Sequence, residues 1–313
     1  MSQPAGDAQL EVVTSGKPVG AEVRGLDLSQ PLSDATVEAI RLAVDTHGMV
    51  VFRDQDLPPD NQIALSRRLG PLAKHVRQEY ALPGYPEIHL ISNIKEGERS
   101  IGSAYAGDDW HTDLCFMREP LRYAILHARE VPTDESGTVL GDTWFANTAY
   151  AYDTLPQRLK RTIAPLHGVF QYHRAQERKR AERANDHPRP PLTEEQKAAT
   201  PDVTHPMVIT HPITGRKVIY VNQVYTFGIV GMSEQESAPL LSELYAHITR
   251  PETVYIHKWR RGDVIIWDNW PTQHKAIGDY RLPQRRLMHR TAIMGTVPFE
   301  SATRVPELAE TAH

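Results

Sequence analysis

The sequence predicts a mostly β chain with flanking helices, on three observations. Short apolar or alternating runs recur through its middle and end, helix-period runs gather near its beginning, and no regular strand–helix alternation or internal repeat links them. A doubly wound parallel sheet needs that alternation, so an antiparallel barrel or sandwich decorated by helices is expected. Residues 1–313 are read as a single domain.

Residues 1–9 are polar and expected to fray. A short alternating stretch begins at Glu11, and a helix follows with Ser33 or Asp34 as N-cap and Val37, Ile40 and Val44 at helical spacing. Residues 48–53 read as a buried strand and residues 59–69 as a second helix, stopped by Gly70 and Pro71. Beyond the run at residues 89–92, a Gly- and charge-rich loop over 95–109 leads to Trp110. Strands are expected at 121–128 and 143–145 around the turn-rich 132–141, and helix at 148–164. Residues 174–203 are dense in Arg, Glu and Ala and then carry Pro188, Pro190 and Pro191, which predicts a solvated helical insertion or a lid. The turn Pro212-Ile213-Thr214-Gly215 between 208–209 and 217–222 predicts a hairpin. Ser233 and Glu236 form a capping-box pattern for a helix through His247, although Pro239 makes Ser237 an alternative start. Strands at 253–259, 263–267 and 287–294 complete the chain.

Composition excludes several classes of function. A net charge of −4 supplies no basic field for nucleic acid. Cys115 is the single cysteine, so neither an internal disulfide nor a thiolate-rich zinc or iron–sulfur site can form, and a reduced, cytoplasmic protein is expected. Nowhere do eighteen apolar residues follow one another, so no membrane span is expected. A homo-oligomer is expected. Fifteen histidines direct attention to metal binding.

Histidine followed two residues later by a carboxylate occurs once, at His111-Thr112-Asp113. Chance alone would supply roughly two such pairs, so context must carry the case. In an extended segment residues i and i+2 face one side, and His111 and Asp113 could offer an imidazole and a carboxylate to one cation. His274, just past an apolar strand, is the candidate third ligand. Two histidines and a carboxylate suit a non-haem Fe(II) oxygenase, and a zinc hydrolase would accept the same set. Further along, Arg286 and Arg290 share one face of a strand without an acidic neighbour in sequence. Inward guanidinium groups need anionic partners, such as a dicarboxylate co-substrate and an anionic substrate; edge-strand arginines on the surface are the plainer alternative.

These residues fall in motifs that resemble one family. Trp110-His111-Thr112-Asp113, His211-Pro212-Ile213-Thr214-Gly215-Arg216-Lys217, Ile266-Trp267-Asp268-Asn269, Thr272-Gln273-His274 and the stretch from Pro283 to Arg290 resemble, in order and spacing, the taurine dioxygenase family. That family includes 2,4-dichlorophenoxyacetate dioxygenases and alkylsulfatases. The resemblance covers about residues 10–299. It implies a double-stranded β-helix (jelly-roll) core, Fe(II), 2-oxoglutarate and O2, and hydroxylation of a small organic anion with release of succinate and CO2. It also implies that His111, Asp113 and His274 hold iron, that Thr143 and Arg286 hold the far carboxylate of 2-oxoglutarate, and that Arg290 and His75 face the substrate. Where taurine enzymes carry an asparagine, four residues before His111, this chain has Gly107. A roomier pocket and a substrate bulkier than taurine are therefore expected, a sulfonate, sulfate ester or carboxylate, with Phe170 and Tyr225 as candidates to line its organic part. Asp113 argues against a radical halogenase, in which a small residue replaces the carboxylate. An iron or anion sensor on the same fold is the non-catalytic alternative.

Overall fold

Strands buried on both faces sort their residues into two cores by simple alternation. In the computed structural model, which describes residues 10–104, 107–182 and 190–299, Val50 and Phe52 of the strand Met49–Phe52 enter one core while Met49 and Val51 enter another. On Leu121–Glu130, Tyr123 and Ile125 separate in the same way from Ala124 and Leu126; on Val264–Asp268, Val264 and Ile266 separate from Ile265 and Trp267. These strands lie within an eight-stranded sheet ordered Glu11–Thr14, Ala21–Arg24, Met49–Phe52, Val264–Asp268, Leu121–Glu130, Leu287–Met294, Tyr85–Ser92, Ala81–Leu82. Neighbours run antiparallel except for the parallel pair Ala21–Arg24 and Met49–Phe52.

Helices cover one face of this sheet. Asp34–His47 contributes Val37, Ile40 and Val44 to the first core, and Pro59–Leu69 contributes Leu65 and Leu69. Ser33 caps the first helix by accepting the Thr36 N–H, and Gly48 ends it with a left-handed φ of 71°. A Cβ at Gly48 would stand 2.9 Å from Thr272 Cγ2, so both conformation and space require glycine there.

The opposite face meets a three-stranded antiparallel sheet of Val254–His257, Thr143–Asn147 and Thr272–Ala276. Phe145 brings the two sheets together by packing in the second core with Met49, Val51, Leu126 and Trp267. Ala146 and Val254 point the other way, towards the helices Gln157–Ile163 and Glu234–Ile248. A smaller sheet of Val203–Pro206, His167–Phe170 and Thr226–Ile229 and the hairpin Val208–Thr210 with Lys217–Ile219 complete this end.

The chain is thus mostly β with flanking helices, but the described sheets keep linear strand orders and do not close into the barrel offered as one expectation. Other departures have local causes. The expected helix at 148–164 is two helices, Thr148–Asp153 and Gln157–Ile163, because Pro156 lacks an N–H and restricts the residue before it. The capping box starts the later helix at Glu234, with Pro239 accommodated inside it. Ser237 is no cap: its hydroxyl donates to Ser233 O and accepts the Ile229 N–H. Thr272–Ala276 is a strand that no apolar period in its Thr-Gln-His-Lys sequence predicts. The fraying expected of residues 1–9 falls outside the described residues. No helix among the described residues is long and apolar enough to cross a membrane.

Candidate active site

A single antiparallel bridge brings the two histidines together. The His111 N–H donates to His274 O at 3.1 Å and the His274 N–H returns to His111 O at 2.9 Å. Opposed residues of an antiparallel pair share a face, and the ring centroids stand 4.2 Å apart. His274 lies within Thr272–Ala276, opposite Phe145, rather than beyond a strand as expected. Asp113 follows after Thr112, where the backbone turns out of extension: Leu114 has a φ of 46°. Thr112 Oγ1 donates to Thr272 O at 3.1 Å and the Asp113 N–H to Asn269 Oδ1 at 3.2 Å, which pins the segment from two sides.

The donor atoms converge. Asp113 Oδ1 lies 3.6 Å from His111 Nε2 and Asp113 Oδ2 lies 3.8 Å from His274 Nε2. These separations are too long for hydrogen bonds, yet the three ligand atoms all fall within 4.8 Å of one another. His111 Nδ1 sits 2.8 Å from the Asp109 carbonyl, which can only accept, so Nδ1 carries the proton and Nε2 turns a lone pair to the cluster. Burial, then the neighbouring His111 ring, holds His274 down to about 3, neutral and able to ligate. Burial opposes ionisation of Asp113, but Arg290 and the two imidazoles outweigh it and hold the carboxyl far below the usual range. Two imidazoles and one carboxylate fit a divalent first-row cation and leave coordination positions open.

Two guanidinium groups stand over the same pocket. Arg290 Nη2 approaches Asp113 Oδ2 at 2.9 Å, so folding has brought it an acidic partner invisible in the local sequence. Arg286 is only 2% exposed. Among the described residues no acidic side chain pairs with it; its Nε lacks a hydrogen bond and its guanidinium lies 5.9 Å from the Tyr280 ring. A buried guanidinium without a counter-anion is strongly unfavourable, and a bound anion would relieve it. The surface-arginine alternative is excluded for both residues by their burial.

Thr143 and His75 line the same pocket. His75 Nδ1 accepts the Arg77 N–H at 3.0 Å and the ring stacks on His89 at 3.7 Å. Burial, and after it the Arg290 charge, holds His75 down to about 3, leaving a neutral ring whose Nε2–H can donate. Phe116, Tyr172 and Tyr225 supply an aromatic wall, with Phe116 and Tyr172 stacked at 4.2 Å. Tyr225 was expected there; Phe170 instead packs on His205 and Tyr220, away from the pocket. Gln176 and Lys179, on the helix Tyr172–Glu182, also reach the lining, and Lys179 Nζ pairs with Asp108 at 3.2 Å. Sequence reasoning had no signal for these two, because a charged helix looks the same whether it faces water or a pocket.

A second group of possible ligands, Asp45, His211 and Asp268, already holds a cation of its own. Arg122 bonds Asp45 at 2.7 Å and Asp268 at 2.9 Å, and His211 lies 2.8 Å from Asp268. The motif residues His211 and Asp268 therefore belong to a buried structural network behind the site.

Gly107 proves to have a backbone role in addition to the space expected from it. Its φ is +77° and a Cβ there would meet His111 Cε1 at 2.8 Å. Gly107→Ala is expected to weaken metal binding about tenfold by displacing that imidazole, as disturbed ligand supports commonly do. A Co(II) titration followed by its visible spectrum measures this; wild-type affinity would show that His111 tolerates the contact.

Residues 11–292 match the family described as taurine catabolism dioxygenase TauD, TfdA family. The chain is 32% identical over 284 residues to an α-ketoglutarate-dependent 2,4-dichlorophenoxyacetate dioxygenase of Cupriavidus pinatubonensis, a match covering 88% of this chain and 94% of the relative. It is 33% identical over 294 residues to an α-ketoglutarate-dependent sulfate ester dioxygenase of Pseudomonas putida, covering 93% and 91%. The crystal structure of a taurine dioxygenase from Burkholderia xenovorans superposes with a TM-score of 0.75 at 31% identity, over 92% of this chain and 90% of that one.

Proposed function

From the premise that the chain belongs to the TauD/TfdA dioxygenase family, and so is an Fe(II)- and 2-oxoglutarate-dependent dioxygenase, we propose that His111, Asp113 and His274 hold its iron. We propose further that Thr143 and Arg286 anchor 2-oxoglutarate and that Arg290, helped by His75, binds the anionic group of a small organic substrate. One observation carries this reading: the buried Arg286, without an acidic partner among the described residues, opens with Arg290 on the same pocket as two imidazoles and a carboxylate. A zinc hydrolase with a carboxylate base would need a second acid beside its metal, and Asp113 is the single acid in the described lining.

When bound, Fe(II) supplies the oxidation, in which O2 and 2-oxoglutarate yield succinate and CO2 while a substrate C–H is hydroxylated. The protein's contribution is placement. Arg286 offers a planar fork to the far carboxylate of 2-oxoglutarate, and Thr143 adds a hydroxyl. Arg290 neutralises the substrate's anion, while His75 donates from Nε2. With Asp113 serving as a ligand, Arg290 would be free to turn its guanidinium to that anion. Phe116, Tyr172 and Tyr225 exclude water from the organic part, which favours an alkyl or aryl sulfonate, sulfate ester or carboxylate over taurine.

The double-stranded β-helix core belongs to this proposal, supported by the two sheets packed through Phe145. So do the single domain over residues 1–313 and the reading of 174–203 as a cover, for which Gln176 and Lys179 speak; residues 183–189 lie outside the described residues. Self-association is proposed on the sequence expectation alone, and light scattering reads it.

Succinate release across a panel of sulfonates, sulfate esters, aryloxy acids and neutral analogues tests the function. Arg290→Ala is expected to lower substrate-dependent succinate release about a hundredfold by removing a charge-assisted anchor, with 2-oxoglutarate affinity within a few-fold of wild type. Unchanged kinetics, or wild-type preference for neutral compounds, would remove Arg290 from the substrate site.

A further inference from the structure

Thr143 does not act alone in the wall. Its Oγ1 accepts a hydrogen bond of 2.9 Å from the indole Nε1–H of Trp259, a residue 1% exposed that lies behind the pocket lining. A threonine hydroxyl has one hydrogen to donate and two lone pairs with which to accept. An indole N–H can only donate, so the contact has a fixed direction: one lone pair of Thr143 is engaged from behind, and its O–H is left to donate elsewhere. Thr143 and Phe145 share the strand face that lines the pocket, and the Arg286 guanidinium, without an acidic partner among the described residues, lines the same pocket. The ring of Trp259 is itself braced, edge-to-face on His257 at 4.6 Å, and His257 Nε2 lies 3.1 Å from the buried Asp263 carboxylate.

We propose that Trp259 is a positioning residue for 2-oxoglutarate: by occupying a lone pair of Thr143 it turns the Thr143 hydroxyl hydrogen into the pocket, toward the carboxylate that Arg286 binds. The inference rests on the assignment of Thr143 and Arg286 to the far carboxylate of 2-oxoglutarate. A hydroxyl polarised by a donor from behind is also a better donor in front, since hydrogen bonds in a chain strengthen one another.

Trp259→Phe keeps an aromatic ring beside His257 and removes the N–H together with the part of the indole that carries it. Isothermal titration of the Mn(II)-loaded protein with 2-oxoglutarate is the measurement, on wild type, Trp259→Phe, Thr143→Val, the double variant and Arg286→Gln. Trp259→Phe is expected to raise the dissociation constant about fivefold and Thr143→Val about tenfold, each through loss of hydrogen bonding. The double variant should stay near about tenfold, because without the hydroxyl there is nothing for the indole to orient. Mn(II) affinity without 2-oxoglutarate and the KM for the primary substrate should match wild type in Trp259→Phe. Wild-type binding of 2-oxoglutarate by Trp259→Phe, multiplication of the two single effects, or equal loss of Mn(II) affinity would each overturn the proposal. If Arg286→Gln and Thr143→Val bind 2-oxoglutarate as wild type does, the assignment of that carboxylate fails and takes the inference with it; if they are impaired while Trp259→Phe is not, the inference fails alone.

Discussion

Replacing His111, Asp113 or His274 by Ala is expected to lower turnover by about a thousandfold or more, beyond the ten- to hundredfold common for residues that merely support a ligand. Each change removes one of three protein donors, and the described lining holds no second carboxylate to substitute for Asp113. The three differ in what else they disturb. His111 and His274 hold each other through two backbone hydrogen bonds that side-chain truncation leaves in place, so these variants should keep the fold and lose the metal. Asp113→Ala also strips Arg290 of its acidic partner, and a lone buried guanidinium destabilises its surroundings. Asp113→Asn, which keeps the shape, is the better companion for that position. Metal affinity by Co(II) titration, thermal unfolding and succinate release together separate loss of ligand from loss of fold. Any of the three variants that binds metal and turns over like wild type is not a ligand.

The motif His111-Thr112-Asp113 with a distant His274 was legible because ligands must be particular residue types at particular spacings. Arg286 and Arg290 were legible for a related reason, since charge on an apolar strand demands explanation. Less visible was anything defined by what folding brings near. Asp113 as partner of Arg290, Arg122 at the centre of Asp45, His211 and Asp268, and Trp259 behind Thr143 are contacts between residues far apart in sequence. Strands with an apolar period, such as Val264–Asp268, could be read directly. The polar strand Thr272–Ala276 could not, although it carries a candidate ligand, because its residues answer to the site and to Phe145 opposite rather than to a core. Gly107 shows the limit of reading by comparison: a missing asparagine suggested space, and the chain adds a left-handed backbone pressed against His111.

Arg286→Ala is expected to raise the 2-oxoglutarate dissociation constant about a hundredfold, since a bidentate charge-assisted pair is worth several times a neutral hydrogen bond. The guanidinium is buried without an acidic partner among the described residues, and this is what supports the proposal that it pairs with the far carboxylate of 2-oxoglutarate. Thr143→Val removes a single hydroxyl and should weaken binding about tenfold, the smaller effect of an uncharged donor. Arg286→Lys separates charge from geometry. An ammonium restores the charge but not the planar fork, and Gly141 and Tyr280 crowd the guanidinium closely enough to fix its orientation: a Cβ on Gly141 would lie 3.3 Å from Arg286 Nε. Lysine should therefore recover only part of the loss. Truncation also relieves a buried charge, so thermal stability without 2-oxoglutarate should hold or rise in Arg286→Ala while the stabilisation gained on adding 2-oxoglutarate shrinks, because a ligand stabilises a fold in proportion to its affinity. That pair of opposite changes is the signature of a residue kept for binding. Titration of the Fe(II)–2-oxoglutarate charge-transfer band and thermal unfolding with and without 2-oxoglutarate measure both halves. An unchanged titration in Arg286→Ala would remove the residue from the co-substrate site, and a fall in stability without 2-oxoglutarate would mean that the guanidinium serves the fold instead.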